Sequence, residues 1–133
     1  MNYALDTNII IHYLNSHPSV YSMLRNAIAH GCELVIPKMV DIELRRGFRI
    51  NQSIKKEASY KILTEDCPVT EMCDRSWEKA IQIYADLYHK RFTVGEMDML
   101  IAAFCLEHDY TLITNNTADF KNIDGLVLED WTQ

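Results

Sequence analysis

The first fourteen residues restrict the possible folds of this chain more than any other stretch. A short apolar run at residues 3–5 ends abruptly at Asp6, and apolar residues then recur at helical spacing up to Leu14. This pattern predicts a buried strand, an acid at its carboxyl end, and a helix that Asp6 or Thr7 caps by accepting hydrogen bonds. Open α/β sheets bind ligands at the carboxyl ends of their strands. Asp6 is therefore a candidate site residue, and an ordinary helix cap is the alternative interpretation.

Strand and helix signals alternate along the rest of the chain. Strands are predicted at 33–36, 110–114 and 126–128, and residues 68–69 are compatible with another short strand. Helices are predicted at 20–30, from Pro37 onward, and at 53–64, 74–90 and 96–108. The resulting order, β-α-α-β-α-α-(α)-α-β-α-β, predicts an α/β/α sandwich with a short parallel sheet. Right-handed crossovers then place the carboxyl ends of all strands at one edge.

Two of these helices carry expectations about packing. The helix that starts at Pro37 should break or bend between Gly47 and Asn51, with Met39, Ile42 and Leu44 facing inward. The helix at 74–90 shows the clearest 3.6-residue period, and its apolar stripe is expected to pack in the core. That stripe consists of Trp77, Ala80, Ile81, Tyr84, Leu87 and Tyr88.

Length and composition favour one domain over residues 1–133. Hydrophobic residues make up 48% of the 133 positions, which is enough for a sizeable core. We expect no signal peptide and no membrane span, because no apolar run approaches the roughly 18 residues needed to cross a bilayer. The four cysteines lack a CxxC spacing, so free thiols in a cytoplasmic protein are the expected state.

The charge distribution singles out one basic segment in an acidic protein. The net charge is −6, yet residues 45–61 hold six cations against one acid, Glu57. Such a segment can bind a phosphate backbone, while a solvated helix face is the alternative. The candidate residues for contacting a phosphate backbone are Arg45, Arg46, Arg49, Lys55 and Lys56.

Four acids lie where a parallel sheet can bring them together. Asp6 follows the first strand, Glu43 lies on the helix after the second, and Asp98 and Asp119 flank the strand at 110–114. Carboxylates without histidine favour Mg²⁺ or Mn²⁺ over zinc, and such a centre suits phosphodiester hydrolysis. The alternative is coincidence among 19 acids, since the helix dipole by itself accounts for Asp98 in a first turn.

Several motifs resemble the PIN-domain family and, within it, the VapC toxins of bacterial toxin–antitoxin pairs. The resemblance spans nearly the whole chain, and the combination of its first and third blocks is the most specific part. The matching blocks are Leu5-Asp6-Thr7-Asn8, Glu43-Leu44, Gly95 to Ala103, Thr114-Asn115-Asn116, Asp119-Phe120 and Leu128 to Trp131.

The resemblance implies a metal-dependent endoribonuclease that cuts single-stranded RNA, commonly tRNA. By the same likeness Asp6 and Asp98 match the principal metal ligands and Glu43 the third acid. Many relatives carry an acid where Asn116 stands here, so Asp119 is taken as its replacement and as a fourth catalytic residue. The residues that would support the site are Thr7, Asn8, Thr114 and Asn116.

The resemblance also implies two protein partners. A cognate antitoxin would block the site, and we expect it to place an arginine or lysine in the acid cluster. A symmetric homodimer is expected as well. The segment from Phe48 to Leu63 alternates apolar residues with cations, which makes it the predicted dimer surface.

Two other functions compete with the nuclease. A phosphoacceptor signalling domain also uses a parallel sheet and early acids, but its acceptor aspartate near mid-chain is missing between Arg49 and Lys56. A catalytically inert PIN-like scaffold would have lost its acids, whereas Asp6, Glu43 and Asp98 are all present.

Overall fold

The centre of the fold is a parallel sheet whose middle strand is the first one in the sequence. The computed structural model describes residues 1–133. The spatial order is β3-β2-β1-β4-β5, and each neighbouring pair is parallel, as the sequence predicted. The strands are β1 Asn2–Leu5, β2 Glu33–Pro37, β3 Val69–Thr70, β4 Thr111–Ile113 and β5 Leu128–Glu129.

Seven helices cover the sheet. Because crossovers between parallel strands are right-handed, α1 to α4 lie on one face and α5 to α7 on the other. The packing agrees, since α1 contacts α2, α3 and α4, while α5 packs along α6. None of the helices combines the length and apolarity that crossing a bilayer requires. They are α1 Thr7–Leu14, α2 Pro18–Ala29, α3 Lys38–Ile50, α4 Ile54–Asp66, α5 Asp74–His89, α6 Glu96–His108 and α7 Thr117–Phe120.

Local signals explain most of the boundaries of these elements. Asp6 is the N-cap of α1 and accepts a hydrogen bond from the backbone of Thr7. Gly31 follows the end of α2 with φ +72°, the left-handed conformation that glycine adopts without a steric penalty. Pro37, expected as the first helical residue, instead ends β2 and serves as the N-cap of α3. The last strand begins two residues later than predicted, at Leu128.

The helix α3 continues past Gly47 and ends within the range 47–51 where a break or bend was predicted. It runs to Ile50, where Asn51 caps its carboxyl end. A glycine lowers helix propensity but does not forbid the helix, and packing of Leu44 and Phe48 into the core holds this one together. Ile42, expected to face inward, is 49% exposed.

The apolar stripe of α5 is largely exposed, so the prediction that it forms core was wrong. Only Ala80 and Leu87 of the predicted set are buried. The buried face of α5 instead includes Ser76 and Ile83, which lie on the side facing α6. The exposed fractions are 50% for Trp77, 63% for Ile81, 56% for Tyr84 and 71% for Tyr88.

A buried polar contact joins α3 to α4. Asp41 is 4% exposed and accepts a hydrogen bond of 2.7 Å from the Tyr60 hydroxyl. Lys38 and Arg45 approach the same carboxylate at 3.6 and 3.5 Å, so the buried charge is compensated. This contact fixes the relative position of the two helices that carry Glu43 and the basic segment.

Candidate active site

Asp6 occupies the point where the order of the sheet reverses. The chain passes from β1 to β2 on one side and returns to β4 on the other, so the carboxyl ends of β1 and β4 border a topological switch point. Ligands of open α/β sheets bind at such points. The side chain of Asp6 is 4% exposed, and its carboxylate faces the ends of both strands.

Three hydrogen bonds hold the Asp6 carboxylate. Oδ2 accepts from the Thr114 hydroxyl at 2.8 Å and from Asn8 Nδ2 at 3.1 Å, and Oδ1 accepts from the Thr7 backbone at 2.8 Å. Burial nevertheless raises the pKa of Asp6, and the negative charge of Glu43 adds to that effect. The hydrogen bonds oppose the rise in pKa and fix the orientation of the carboxylate.

Glu43 and Asp98 approach Asp6 from opposite faces of the sheet. Glu43 on α3 accepts a hydrogen bond from the Thr7 hydroxyl, which itself lies in the first turn of α1. Asp98 is in the first turn of α6 and is partly buried. Burial, followed by the charges of Asp6, Asp119 and Glu43, raises the pKa of Asp98 from 3.8 to about 6. The four predicted acids therefore share one electrostatic environment.

No basic side chain neutralises this cluster. The protein has seven ion pairs within 4.0 Å, and none of them involves Asp6, Glu43, Asp98 or Asp119. Asp119 is exposed in the first turn of α7. Glu96, a second acid in the first turn of α6 beside Asp98, is also exposed. Like charges in a partly buried site repel one another unless a cation compensates them. The arrangement therefore favours the binding of a cation.

The donor set fits a hard divalent ion. All candidate ligands are carboxylate oxygens, and no histidine or cysteine joins them. No three acidic, histidine or cysteine groups are arranged to surround one ion directly. Mg²⁺ is commonly bound by one or two protein carboxylates, so Asp6 and Asp98 are the residues that would hold it.

The Thr114-Asn115-Asn116 turn supports the site in a way the sequence indicated only in part. Thr114 is buried and accepts hydrogen bonds from Asn8 Nδ2 at 3.3 Å and from the backbone of Asn116 at 3.0 Å. Asn116 thus contributes through its backbone, and its exposed side chain forms no hydrogen bond.

Asn115 and His12 form a further part of this network to which the sequence assigned no role. The Asn115 backbone donates to Asn8 Oδ1 at 3.0 Å, and its side-chain amide lies 3.2 Å from His12 Nε2. The only available signal was the position of Asn115 directly after a strand. The contact with His12 joins residues 103 positions apart, so no spacing could indicate it.

The candidate RNA-binding cations divide into two groups. Arg45 pairs with Asp41, and Arg49 forms a two-pronged ion pair with Glu57 at 3.1–3.3 Å. The other three candidates, Arg46, Lys55 and Lys56, are exposed and belong to none of the ion pairs. Lys56 also lines a groove that reaches Thr7 and Glu43.

Removal of one charge should stabilise the metal-free protein. We expect Asp98→Asn in EDTA to raise the free energy of unfolding at pH 7.5 by on the order of 1 kcal/mol after solvent screening. The folded-state pKa of about 6 lies above the ordinary 3.8. Below pH 6 the folded wild type binds a proton at Asp98, which removes the repulsion and restores the lost free energy of unfolding. The stability advantage of the variant should therefore shrink towards pH 4.5. Urea unfolding at both pH values measures the difference.

The control for this experiment is Glu78→Gln, which removes an exposed acid of α5 that forms no ion pair. It should change the free energy of unfolding little at either pH. Charge repulsion in the cluster would be contradicted if Asp98→Asn lowered the free energy of unfolding. It would also be contradicted if the variant's gain in stability over wild type grew as the pH fell.

Comparison with known proteins identifies the family to which this chain belongs. Residues 3–126 match the PIN domain family. Ribonuclease VapC2 of Rickettsia felis is 33% identical over 134 residues, covering 98% of each chain. The tRNA(fMet)-specific endonuclease VapC of Salmonella typhimurium is 27% identical over 98% of each. The crystal structure of VapBC2 from Rickettsia felis bound to promoter DNA has a TM-score of 0.90 at 28% identity, covering 98% of this chain and 99% of that one. The chain therefore belongs to the PIN-domain family and, within it, to the VapC ribonucleases.

Proposed function

We propose that residues 1–133 form one nuclease domain that acts as an endoribonuclease toxin in the cytoplasm. Its substrate would be single-stranded RNA, probed first with tRNA because one VapC relative is named as a tRNA(fMet)-specific endonuclease. The observation that carries this proposal is the uncompensated acid cluster at the switch point of the sheet, in a chain of the VapC family.

The proposed mechanism assigns each acid a role from its surroundings. Asp6 and Asp98 would hold Mg²⁺ or Mn²⁺, Asp6 being oriented by its three hydrogen bonds. A bound divalent ion would supply an activated water and charge stabilisation at the phosphate. Glu43 has one oxygen held by Thr7, which leaves the other free to accept a hydrogen bond from that water. Asp119 would complete the cluster on the exposed side.

An antitoxin partner is also proposed for this chain. Several solved structures that resemble it are VapBC toxin–antitoxin complexes. The acid cluster has no arginine or lysine of its own, so it can accept one from a partner with charge-assisted hydrogen bonds. Such a cation would compete with the divalent ion for the same carboxylates.

A homodimer is proposed as well, with an interface on α5. The exposed residues Trp77, Ile81, Tyr84 and Tyr88 form an apolar, aromatic face of the kind enriched at protein interfaces. Ile42 and Trp77 border one groove, so α3 extends this face. The surface that the sequence predicts, at residues 48–63, exposes Ile50, Ile54 and Ile62 while Phe48 is buried, and it remains the alternative interface.

Loss of either principal acid should abolish RNA cleavage. We expect purified Asp6→Asn and Asp98→Asn to cut total tRNA at least a hundredfold more slowly than wild type, because each loses a proposed ligand of the divalent ion. EDTA should silence the wild type, and added Mg²⁺ or Mn²⁺ should restore it. Gel analysis of tRNA fragments measures both effects.

The matched control is Asp86→Asn, a change of the same kind at an exposed acid of α5. It should cleave like wild type. Full activity of Asp6→Asn or Asp98→Asn would refute the assignment and favour the inert-scaffold alternative.

The unpaired cations should contribute more to RNA binding than the paired ones. We expect Arg46→Ala with Lys55→Ala to reduce the slope of log K against log salt by roughly 0.7 for each phosphate that the variant no longer neutralises. Arg49→Ala should change the slope less, since this guanidinium is already engaged by Glu57. Titration of a fluorescent single-stranded RNA at several NaCl concentrations gives the slopes. Equal effects of the two changes would show that ion pairing does not select the RNA-binding cations.

Two charge insertions separate the candidate dimer surfaces. We expect Ile81→Lys to convert the dimer to a monomer, because an ammonium would be buried in the α5 face. Ile54→Lys is the control on residues 48–63, where Ile54 is 81% exposed, and it should leave the dimer intact. Light scattering at micromolar concentration reports the mass. The opposite pattern would move the interface to residues 48–63, and a monomeric wild type would end the proposal.

A further inference from the structure

A groove opens directly beside the acid cluster and has no role in the chemistry described so far. It lies between α1, α3 and α4 and has a volume of about 260 Å³. Thr7 and Glu43 border one end, and Lys56 borders the other. Its walls are mainly apolar, formed by Ile11, Leu14 and Phe48. This volume is near the lower limit of roughly 300–1,000 Å³ for small-molecule sites, so the groove suits one compact flat group.

Gly47 forms part of this groove, and nothing in the fold explains a glycine there. It lies inside α3 and does not have a positive φ. A Cβ at this position would meet no atom within 4 Å, so there is no close packing that only glycine permits. Glycine is less favourable than alanine in a helix interior. The space beside Gly47 that a larger side chain would occupy is the groove.

The chemistry around the groove favours a nucleotide over an apolar peptide side chain. The amides of Asn15 and Asn51 and the hydroxyl of Ser53 line it, and they can hydrogen-bond to the edge of a base. Lys56 forms no ion pair and is free to contact a phosphate. Apolar walls suit the face of an unpaired base, the form in which RNA-binding proteins usually recognise a base.

We infer that this groove binds one unpaired base of the RNA next to the bond that is cut, while Lys56 contacts the neighbouring phosphate. The inference rests on the proposed function, because it places the scissile phosphate at the acid cluster. Thr7 and Glu43 border both the cluster and the groove, so the two sites are continuous. Gly47 would then be a specificity-determining position, since its missing side chain leaves room for the base.

The test replaces Gly47 with residues whose side chains would extend into the groove. The probe is a single-stranded oligoribonucleotide that contains the bond cut in total tRNA, identified by sequencing the fragment ends. Gly47→Leu should raise the KM for this RNA about tenfold, because its side chain would fill the space that the base occupies. Gly47→Ala also raises the helix propensity but adds only one methyl group, and it should raise the KM by less than about threefold. Circular dichroism and thermal unfolding verify that both variants fold.

Abasic versions of the same RNA make the test specific for the base. For the wild type, removal of the base at one position beside the cut should raise the KM about tenfold. Gly47→Leu should show no further increase with that abasic RNA, because filling the groove and removing the base eliminate the same interaction.

Each remaining outcome decides against the inference. A Gly47→Leu enzyme that keeps the wild-type KM and the full abasic effect would show that the groove does not hold a base, as expected if it binds a protein segment instead. A wild type whose KM is insensitive to every base removal would overturn the inference without any variant. A wild type that cuts no RNA would remove the proposed function, and this inference with it.

Discussion

The site depends on a carboxylate buried at the end of the central strand. Asp6 lies almost fully inside the protein, where ionisation is opposed by burial and by neighbouring acids. Hydrogen bonds from Thr7, Asn8 and Thr114 offset part of this cost and leave the carboxylate in one orientation. The remaining repulsion is relieved when the cluster takes up a proton or binds a cation. The same repulsion that lowers the stability of the free protein would therefore favour cation binding at the site.

This constraint explains why a connected set of polar side chains follows β1 and β4 at their carboxyl ends. Within the two strands, Tyr3, Ala4, Leu5, Leu112 and Ile113 are buried, as in parallel sheets covered by helices. Asn8, Thr114 and Asn115 form a connected set of hydrogen bonds just beyond the strand ends. The groove beside Gly47 and the exposed face of α5 lie on opposite sides of the sheet. The helix α3 borders both, since Glu43 and Gly47 line this groove and Ile42 lies beside Trp77.

Much of the fold could be predicted from the sequence because its signals are local. Alternating strand and helix patterns predicted the parallel sheet. Parallel strands bring the residues that follow them to one edge, so the acids were expected together, and Thr114 was added to them by the resemblance to the PIN-domain family. The errors came where local patterns do not say what covers a face. The stripe on α5 has the period of a core helix, yet the helix packs on α6 with its adjacent face.

The candidate site was predictable to a similar extent. The four acids were expected together, and the structure gives them a common electrostatic environment. The sequence could not distinguish free from paired cations. Arg45 pairs with Asp41 one helical turn away, a spacing visible in the sequence, but Arg49 meets Glu57 across the turn between α3 and α4. Only the three-dimensional path of the chain reveals that second pair.

The two ends of the chain meet at β1, and this controls when the site can exist. Thr114 reaches Asp6 across 108 positions, β4 completes the pairing of β1, and Trp131 packs against Tyr3 with ring centres 5.2 Å apart. During synthesis, Asp6 and Glu43 leave the ribosome while Asp98 and Thr114 are still missing. At that stage the nascent chain carries only Asp6 and Glu43 of the cluster, on a sheet that still lacks β4. The proposed nuclease therefore becomes competent only after residues 111–114 have been synthesised and β4 has paired with β1.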